Sequence, residues 1–293
     1  MTDLNGTRVV ITGAASGLGK RLVMEFARRR ASISAWDINA QQLEVLRAEV
    51  ERTEAAAFHT AVVDVGDRDT VQRAAEEVRE AFGTPDILFN NAGIVNGKTL
   101  LESSDEAIER TFRVNTLGLF WTTRAFLPDM MRRNSGHIVN VASAAGTMGV
   151  SGLADYCASK FAAVGFDESL RMELRKQGSR VRTTVICPYY INTGMFDGVR
   201  TKYPWLMPIL EEEYAVRRIL RAVERNDNRL LMPALVYVVP LMRLLPVPAF
   251  DAIATFLGIN ESMDHFVGRA EDATRAAAQR SDEVRQDAMA RGA

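Results

Sequence analysis

The sequence predicts an α/β fold, a doubly wound parallel sheet of about seven strands with helices on both faces. Short runs rich in β-branched residues alternate with segments of helical periodicity from residue 8 onward, which is typical of βαβ units. A glycine-rich turn separates the first such run from the first helix. No Gly/Ser-rich or Pro-rich linker interrupts the series, so we expect one domain over residues 1–268.

The individual elements follow from local patterns of apolar residues. We expect strands at 8–12, 32–37, 57–64, 87–90, 136–142, 181–187 and 229–233. We expect intervening helices that end near residues 30 and 54, and others that cover 69–82, 105–131, 156–177 and 211–225. Segment 196–209 is aromatic and interrupted by prolines, and we assign the region from about 196 to 225 to a lid over a substrate pocket.

The overall composition excludes several classes of protein. A formal net charge of −1 argues against nucleic-acid binding. The three histidines show no ligand spacing, which argues against a metal site. The two cysteines, Cys157 and Cys187, lie far apart in apolar surroundings, and no secretory signal precedes them. We therefore expect a reducing, cytoplasmic setting without a disulfide.

The glycine-rich turn indicates a Rossmann-type dinucleotide site. Its sequence is Thr12-Gly13-Ala14-Ala15-Ser16-Gly17-Leu18-Gly19. Glycines in such a turn let the backbone approach a diphosphate, which the amides at the start of the following helix then bind. We assign to cofactor binding Gly13, Ser16, Gly17, Leu18 and Gly19. Arg21 stands where a P-loop requires Ser or Thr, which excludes nucleoside triphosphate chemistry.

The second strand ends in Asp37, about twenty residues past the glycines. A carboxylate at this place accepts hydrogen bonds from the ribose hydroxyls of an adenosine and repels a 2′-phosphate, so Asp37 predicts NAD over NADP. Two alternatives stay open. Asp37 could instead cap the next helix, and the nearby cations Lys20 and Arg21 could favour NADP.

Tyr156 and Lys160 form a candidate proton-transfer pair, with Ser143 upstream. On a helix, positions i and i+4 share a face, so the Lys160 ammonium is expected near the Tyr156 phenol. A phenol has a pKa of about 10, and an adjacent cation in a partly dry site lowers that pKa toward neutral pH. By itself, the same spacing also fits an ordinary amphipathic helix with an exposed lysine.

Taken together, the motifs resemble those of the short-chain dehydrogenase/reductase family. They occur in the family's order as Thr12-Gly13-x-x-x-Gly17-x-Gly19, Asp64-Val65, Asn90-Asn91-Ala92-Gly93, Asn115, Ser143 and Tyr156-x-x-x-Lys160. They cover about two thirds of the chain, from residue 5 to about residue 195. The resemblance implies that Asp64 hydrogen-bonds the adenine amino group and that Val65 lines the adenine pocket. Asn90 and Gly93 would lie against the adenosine ribose, with Ala92 beside them in the cofactor site.

The same resemblance implies the catalytic roles. Tyr156 would be the general base in alcohol oxidation and the general acid in carbonyl reduction. Lys160 would lower the pKa of Tyr156 and hold the nicotinamide ribose. Ser143 would hydrogen-bond the substrate oxygen, and Asn115 would hold a water in a proton relay through Lys160.

Residues 188–196 depart from the family's usual Pro-Gly pair, because Tyr189 follows Pro188. Pro188, Ile191 and Thr193 still match positions that would meet the nicotinamide carboxamide and the diphosphate. With Trp36-Asp37 this segment resembles the branch of retinol and 17β-hydroxysteroid dehydrogenases. Members of the family commonly associate through the helices at 105–131 and 156–177, so the resemblance implies a homodimer or homotetramer.

The C-terminal segment from about 230 to 258 is apolar, above all at 234–249. It is interrupted by prolines and too short to span a bilayer, which needs about twenty apolar residues. Three uses stay open: packing over the substrate pocket, contact with another subunit, or lying in a membrane interface. Because residues 1–7 lead straight into the first strand without a hydrophobic anchor, we expect any membrane contact to be peripheral and C-terminal. The charged Ala/Arg-rich tail at 269–293 is expected to be a solvated helix or disordered.

The sequence therefore predicts an NAD-dependent oxidoreductase that transfers hydride between a nicotinamide cofactor and a bulky apolar alcohol or ketone. The apolar lid and C-terminal segment indicate a substrate of the retinoid, steroid or long-chain lipid type. One alternative is a reductase of small carbonyl compounds, with a pocket closed by Tyr189 and Trp205. Another is an NAD-binding regulator without turnover.

Overall fold

The computed structural model describes residues 1–269, and one sheet of seven parallel strands forms its centre. The strands are β1 Arg8–Thr12, β2 Ser32–Asp37, β3 Ala57–Val62, β4 Ile87–Asn90, β5 His137–Val141, β6 Arg182–Pro188 and β7 Arg229–Met232. Their order is β3-β2-β1-β4-β5-β6-β7, so the winding reverses between β1 and β4. Such a reversal opens a crevice outside the carboxyl ends of the strands, where ligands bind. The predicted fold class is confirmed.

Helices cover both faces of the sheet, as predicted. They are α1 Gly17–Ala27, α2 Ala40–Val50, α3 Arg68–Phe82, α4 Asp105–Phe112, α5 Gly118–Arg133, α6 Ala154–Lys176, α7 Glu212–Arg225, α8 Val239–Met242 and α9 Val247–Phe256. Successive side chains of a strand point to opposite faces. Val9 and Ile11 of β1 therefore join a core with α1, α2 and α7, whereas Val10 joins a second core with α3, α5 and α6.

The helix predicted over 105–131 is divided in the structure. A single π-helical turn, Arg113–Leu117, separates α4 from α5. A π turn adds one residue to the helical turn and shifts the side chains that follow, and such turns are frequent at functional sites. The buried residue of this turn is Asn115. A helical periodicity alone could not reveal the extra residue, because the pattern continues on both sides of it.

Part of the segment predicted as a lid forms the helix α7, Glu212–Arg225. The structure places α7 in the core beside α1, where Ala215, Ile219 and Val223 are buried. These residues lie four apart and form one apolar face, which packs on the sheet and does not cover a pocket. Of the segment predicted as a lid, only the loop before α7 lines the cavity, and it ends at Leu210 in an isolated bridge with Ile191. That this loop acts as a lid stays a prediction.

The apolar segment after β7 packs over the carboxyl end of the sheet. It forms a 3₁₀ turn, Ala234–Val238, followed by α8 and α9. Val236 and Val239 face inward, while Leu241 and Leu244 are exposed on the opposite side. Packing over the pocket is thus one of the three predicted uses that the structure displays. No helix within residues 1–269 has the length and apolar character needed to cross a membrane. Apart from Arg269, the predicted tail lies outside the described residues.

Candidate active site

Most of the predicted site residues line one cavity at the carboxyl ends of the strands. Its volume is about 280 Å³. The predicted residues on its wall are Gly13, Ser16, Gly17, Leu18, Asp37, Asp64, Val65, Ala92, Gly93, Ser143, Tyr156, Lys160, Pro188, Ile191 and Thr193. Gly19, Asn90 and Asn115 do not line it. The cavity therefore joins the predicted cofactor positions to the predicted catalytic group.

The glycine turn has the geometry of a cradle for a bulky ligand. Gly13 and Gly17 have φ angles of +62° and +48°, which side-chain-bearing residues rarely adopt. A Cβ at Gly13 would lie 2.8 Å from Ala92 Cα, and one at Gly17 would lie 2.9 Å from Thr193 Cβ. Asn91 fixes the turn, because its Nδ2 donates to Thr12 O at 2.9 Å and to Gly13 O at 3.1 Å. The turn thus packs closely against the loops after β4 and β6, and Gly13 and Gly17 line the cavity there.

Gly19 and Asn90 support the site from behind. A Cβ on Gly19 would lie 2.0 Å from Gly13 O, so this glycine lets α1 pack against the turn. Asn90 is buried, and its side chain donates to Asn140 Oδ1 at 2.8 Å and accepts from Thr122 Oγ1 at 2.6 Å. The side chain of Asn90 thus joins β4 to β5 and α5, and the predicted position of Asn90 against the adenosine ribose stays a prediction.

Asp37 braces the glycine turn from the end of β2. Its Oδ2 accepts from Ala15 N at 2.9 Å, and its Oδ1 accepts from Asn39 N at 3.0 Å. The cap of α2 is Asn39, whose side chain accepts from Gln42 N, so Asp37 is not the capping residue. A carboxylate oxygen accepts more than one hydrogen bond. Asp37 can therefore bind ribose hydroxyls while it holds the turn.

The cations close to Asp37 in the sequence point away from the cavity. Lys20 Nζ pairs with Glu49 at 2.7 Å, and Arg21 Nε pairs with Glu212 at 2.6 Å. Neither lines the cavity. Both side chains are thus engaged with helices α2 and α7, and neither is placed to neutralise a phosphate beside Asp37.

Asp64 and Val65 lie on the rim after β3. Asp64 is exposed, and its Oδ1 accepts from Gly66 N at 2.8 Å, which leaves its Oδ2 free of described partners. Val65 is buried, and its methyl group lies 3.0 Å from where a Cβ of Gly118 would be. An exposed carboxylate beside a buried aliphatic side chain provides an acceptor and an apolar contact, which suits an adenine ring.

Tyr156 and Lys160 are both buried on α6 at the end of the cavity. Burial raises the pKa of Tyr156 above its ordinary value, and a hydrogen bond from Ser143 lowers it in part. Burial lowers the pKa of Lys160 to about 8. The Lys160 Nζ donates to Val141 O at 3.0 Å and lies 5.6 Å from the centroid of the Tyr156 ring. The hydrogen bond from Ser143 lowers the pKa of Tyr156 in part, and the predicted lowering of that pKa by Lys160 stays a prediction.

Ser143 follows β5 directly and begins a short 3₁₀ turn. Its Oγ accepts from Ala145 N at 3.1 Å and contacts Pro188 O at 3.4 Å. The first contact anchors the hydroxyl on its own turn, and the second links it to the end of β6. Ser143 is therefore held beside Tyr156 by two neighbouring strands, which fixes the position of a hydroxyl that can hydrogen-bond a substrate oxygen.

Asn115 is fully buried in the π-helical turn. Its Oδ1 accepts from Ile94 N at 2.8 Å, and its Nδ2 donates to Ile94 O at 2.9 Å and to Ser159 Oγ at 3.0 Å. A Cβ on Gly93 would lie 3.4 Å from Asn115 Oδ1 and 3.3 Å from Lys160 Nζ. Asn115 thus positions the loop after β4 beside Lys160, and its predicted role in holding a water stays a prediction.

Most of the remaining wall of the cavity is apolar, although Asn39, Gln42, Asn91, Arg110 and Arg269 also line it. Besides the predicted residues it includes Met148, Val150, Leu153, Tyr189, Tyr190, Phe196, Met207, Leu235, Val236, Val239, Met242, Ala254, Leu257 and Ile259. The rings of Tyr189 and Tyr190 pack against each other with centroids 4.5 Å apart and planes tilted by 58°, and Tyr190 Oη bonds Ser262 Oγ at 2.9 Å. Trp205 is 80% exposed and does not line the cavity. This corrects the expectation that Trp205 closes a small pocket.

Several residues of the site lie outside the predicted set. Phe196 begins the segment that the sequence marks as aromatic, and Tyr190 lies in residues 188–196, which depart from the family's usual pattern. These were the only sequence signals for the two residues. Arg269 also lines the cavity, from a segment remote in the sequence. Nothing in the local pattern around Arg269 distinguishes it from the other arginines of the tail.

The comparison with known proteins decides the family. A sequence model described as short chain dehydrogenase matches residues 7–204, more than half of the chain. The chain belongs to the short-chain dehydrogenase/reductase family. This short-chain dehydrogenase/reductase is 43% identical over 270 residues to short-chain dehydrogenase/reductase family 16C member 6 of Bos taurus. The aligned residues cover 91% of this chain and 85% of that protein.

Two further similarities refine the placement of this short-chain dehydrogenase/reductase. Epidermal retinol dehydrogenase 2 of Homo sapiens is 44% identical over 267 residues, covering 90% of this chain and 86% of that protein. The crystal structure of a short-chain dehydrogenase/reductase from Burkholderia phymatum in complex with NAD has a TM-score of 0.73 and 29% identity, covering 83% of this chain and 95% of that chain. The predicted family and its retinol dehydrogenase branch are confirmed.

This short-chain dehydrogenase/reductase is thus an oxidoreductase that acts on CH–OH groups. A nicotinamide dinucleotide fits the residues present, because Gly13 and Gly17, Ser16 at the N-terminus of α1, and the Asp37 carboxylate line one cavity. Within residues 1–269, no group of three or more His, Cys, Asp and Glu residues is arranged to hold a metal.

Proposed function

We propose that the enzyme oxidises a bulky apolar alcohol, or reduces the matching ketone, with NAD. The observation that carries this proposal is the continuity of the cavity. Tyr156 and Ser143 share it with the glycine turn and with a wall of aliphatic and aromatic side chains. Such a wall stabilises a retinoid, a steroid or a long-chain lipid by removing apolar surface from water. The human relative named epidermal retinol dehydrogenase 2 supports the same substrate class.

Each catalytic residue has a defined task in this proposal. The cofactor, when bound, supplies the hydride chemistry. Tyr156 takes the proton of the alcohol in oxidation and returns it to the carbonyl oxygen in reduction. Ser143 hydrogen-bonds the same oxygen and counteracts the effect of burial on the pKa of Tyr156. Lys160, with a pKa of about 8, is mostly protonated at neutral pH and places a positive charge beside the phenol.

The charges around Asp37 support NAD over NADP. The carboxylate of Asp37 would repel a 2′-phosphate at close range. Lys20 and Arg21 are paired with Glu49 and Glu212, so neither offsets that repulsion. We therefore propose that NADP is a poor cofactor for this enzyme.

The proposal is tested by following the absorbance of NADH across a panel of alcohols graded in size, with Tyr156→Phe beside the wild type. We expect turnover with retinoid, steroid or long-chain alcohols, and a loss of about 10²-fold or more in kcat for Tyr156→Phe. Tyr214→Phe is the matched control, because Tyr214 lies on α7 and bonds Arg218 outside the cavity. It should keep its kcat.

The outcome separates the alternatives. Turnover confined to small carbonyl compounds would replace the proposed substrate class. Tight binding of NADH without turnover on any alcohol or ketone would indicate a regulator. Full activity of Tyr156→Phe would remove Tyr156 as the acid–base group.

We also propose that the enzyme contacts membranes through a C-terminal apolar face. This face consists of five side chains that are between 66% and 83% exposed, namely Trp205, Leu241, Leu244, Val247 and Phe256. Lys202 lies beside it, with Nζ 5.8 Å from the Phe256 ring centroid. Apolar side chains flanked by cations are typical of segments that lie in a membrane interface. The inner side of the same segment lines the cavity, so an apolar substrate would have a short path from the lipid.

Flotation with vesicles that contain anionic lipid tests this contact. Leu241→Gln combined with Leu244→Gln should reduce the vesicle-bound fraction by several-fold, because two large apolar groups leave the interface. Leu101→Gln is the control, since Leu101 is 97% exposed in the loop before α4. An equal bound fraction for all three proteins would refute the membrane contact.

We further propose a cytoplasmic homodimer or homotetramer that associates through α5 and α6. Phe120 of α5 and Phe161 and Met172 of α6 are exposed by 39%, 37% and 57%. The two free cysteines are buried, which suits a reducing compartment. Light scattering on a sizing column should give two or four protomers for the wild type and a smaller mass for Met172→Glu. A wild-type monomer at micromolar concentration would contradict the association.

A further inference from the structure

Arg269 reaches the glycine turn from the far end of the described chain. Its Nη1 donates to Ser16 Oγ at 2.9 Å, and its Nη2 donates to Thr193 O at 3.3 Å. The Nη2 also lies 3.6 Å from where a Cβ of Gly17 would be. The guanidinium is thus held between the turn after β1 and the loop after β6, on the wall of the cofactor cavity.

The charges around this guanidinium are unbalanced. Ser16 is the N-cap of α1, and the first turn of α1 contains no acidic residue. A helix N-terminus carries a partial positive charge, which disfavours a cation beside it. Asp197 lies nearby, because its Oδ2 and the Arg269 Nε are each 3.9 Å from where a Cβ of Gly194 would be, but the two side chains form no ion pair within 4.0 Å. Two positive groups therefore face the same space, and within residues 1–269 no salt bridge of Arg269 compensates them.

We propose that Arg269 is a cofactor-binding residue that holds the diphosphate of the dinucleotide against the glycine turn. The inference rests on the proposed dinucleotide cofactor. A guanidinium presents its donors in a planar fork that matches phosphate oxygens, and its bonds to an anion are stronger than those to a hydroxyl or a carbonyl. The diphosphate supplies the negative charge that the N-terminus of α1 and the guanidinium both lack. Ser16, Thr193 and Arg269 then bind it from different elements.

The same contact links the cofactor to the lid. Val267 N and Gly268 N donate to Asp197 O at 2.8 and 3.2 Å, and Arg200 N donates to Ser262 O at 3.2 Å. The segment 259–269 is therefore attached to the lid by backbone hydrogen bonds on both sides of Val199. An anion that holds Arg269 also holds this segment. Loss of Arg269 should thus raise the KM for the apolar alcohol as well as weaken cofactor binding.

The test measures binding by the full-length enzyme without turnover. NADH is titrated by its fluorescence, and ADP-ribose and adenosine are titrated by competition against NADH. Arg269→Gln should raise the Kd for NADH and for ADP-ribose by about tenfold or more, because each loses a charge-assisted hydrogen bond. Adenosine, which has no phosphate, should bind the variant and the wild type equally. The Kd of Arg269→Lys for NADH and ADP-ribose should lie between those of the wild type and Arg269→Gln, because lysine keeps the positive charge but lacks the planar fork of donors.

Arg21→Gln is the matched control for a general loss of positive charge. Arg21 lies on α1 near the same turn, but its guanidinium pairs with Glu212 outside the cavity. The Kd for NADH should change by less than about twofold in this variant. Equal thermal midpoints of wild type and Arg269→Gln without ligand would confirm that the effect is on binding and not on folding.

The possible failures are distinguishable. An unchanged Kd for NADH and ADP-ribose in Arg269→Gln would overturn the role of Arg269 and leave the cofactor assignment intact. Tighter binding by the variant would overturn it as well, because it would show that Arg269 competes with the diphosphate. A wild type that binds neither NADH nor ADP-ribose would overturn both the proposed function and this inference.

Discussion

The buried histidine His137 makes the stability of the fold depend on pH in a way that can be calculated. His137 lies on β5 and is 1% exposed, and its ring contacts Thr2 Oγ1 at 3.0 Å and Thr184 Oγ1 at 2.8 Å. Burial, with a smaller effect of Arg182, lowers its pKa from 6.5 to about 3. The folded protein therefore keeps His137 neutral, while the same histidine in the unfolded chain takes up a proton below about pH 6.5.

The sign and size of the effect follow from this difference. The stabilisation from neutral His137 is complete above its unfolded pKa and is lost as the pH falls toward the folded pKa. The loss is about 1.4 kcal/mol for each pH unit below about 6.5. Between about pH 7.5 and about pH 4.5, His137 should therefore remove ~3 kcal/mol from the free energy of unfolding.

A comparison of two proteins isolates this contribution. Asp167 acts in the opposite direction, because burial raises its pKa to about 6 and it stabilises the folded state when it takes up a proton. His137→Gln keeps Asp167 and every other acidic residue, so their contributions cancel in the difference between the free energies of unfolding of the two proteins. At about pH 7.5 the variant should be less stable by ~1–3 kcal/mol, from the lost hydrogen bond. By about pH 4.5 the gap should shrink by ~3 kcal/mol, so that it closes or reverses sign and the variant becomes the more stable protein.

Urea unfolding, followed by tryptophan fluorescence at several pH values, measures the gap. A gap that stays constant within ~0.5 kcal/mol over this range would refute the reasoning, since it would mean that His137 is not kept neutral by the fold.

Three further substitutions test the site. Gly17→Ala should destabilise the fold by ~1–2 kcal/mol and weaken NADH binding at least about tenfold. Gly165→Ala is the control, because Gly165 lies on α6 with open space around it, and this variant should be neutral or stabilising. Equal NADH affinity in both variants would contradict the role of the glycine turn in cofactor binding. Asp37→Asn should lower the NAD to NADP ratio of kcat/KM at least about tenfold, and an unchanged ratio would mean that Asp37 does not select the cofactor. Gly97→Ala, whose Cβ would lie 2.1 Å from the Phe266 ring, should raise the KM for the alcohol with little change in the Kd for NADH.

The sheet and the cofactor half of the site could be predicted from the sequence because their signals are local. Strands buried on both faces form continuous apolar runs, and the ligand-binding residues stand directly after them. Asp37 and Gly13 are examples. The role of Asn90 was not predictable in the same way, because the partners of its side chain, Thr122 and Asn140, lie on other elements.

The C-terminal half of the site depends on contacts between distant parts of the chain. Arg269 and Ser16 are 253 residues apart, and no local pattern indicates that they meet. The helix α7 is a different case, since Ala215, Ile219 and Val223 already form one apolar face in the sequence. That periodicity indicates a core helix, and it outweighs the position of α7 next to the aromatic lid.

The boundary of the family match separates the chemistry from the choice of substrate. The match ends at residue 204, and Ser143, Tyr156 and Lys160 lie within it. Much of the aliphatic wall lies beyond it, namely Met207, Leu235, Val236, Val239, Met242, Leu257 and Ile259. A substitution on this wall changes the apolar area that a substrate covers and leaves the proton-transfer group in place. Under the proposed function, the C-terminal segment would select among apolar alcohols while the reaction stays the same, because the residues proposed to bind the bulk of the substrate and those proposed to move its proton belong to different parts of the chain.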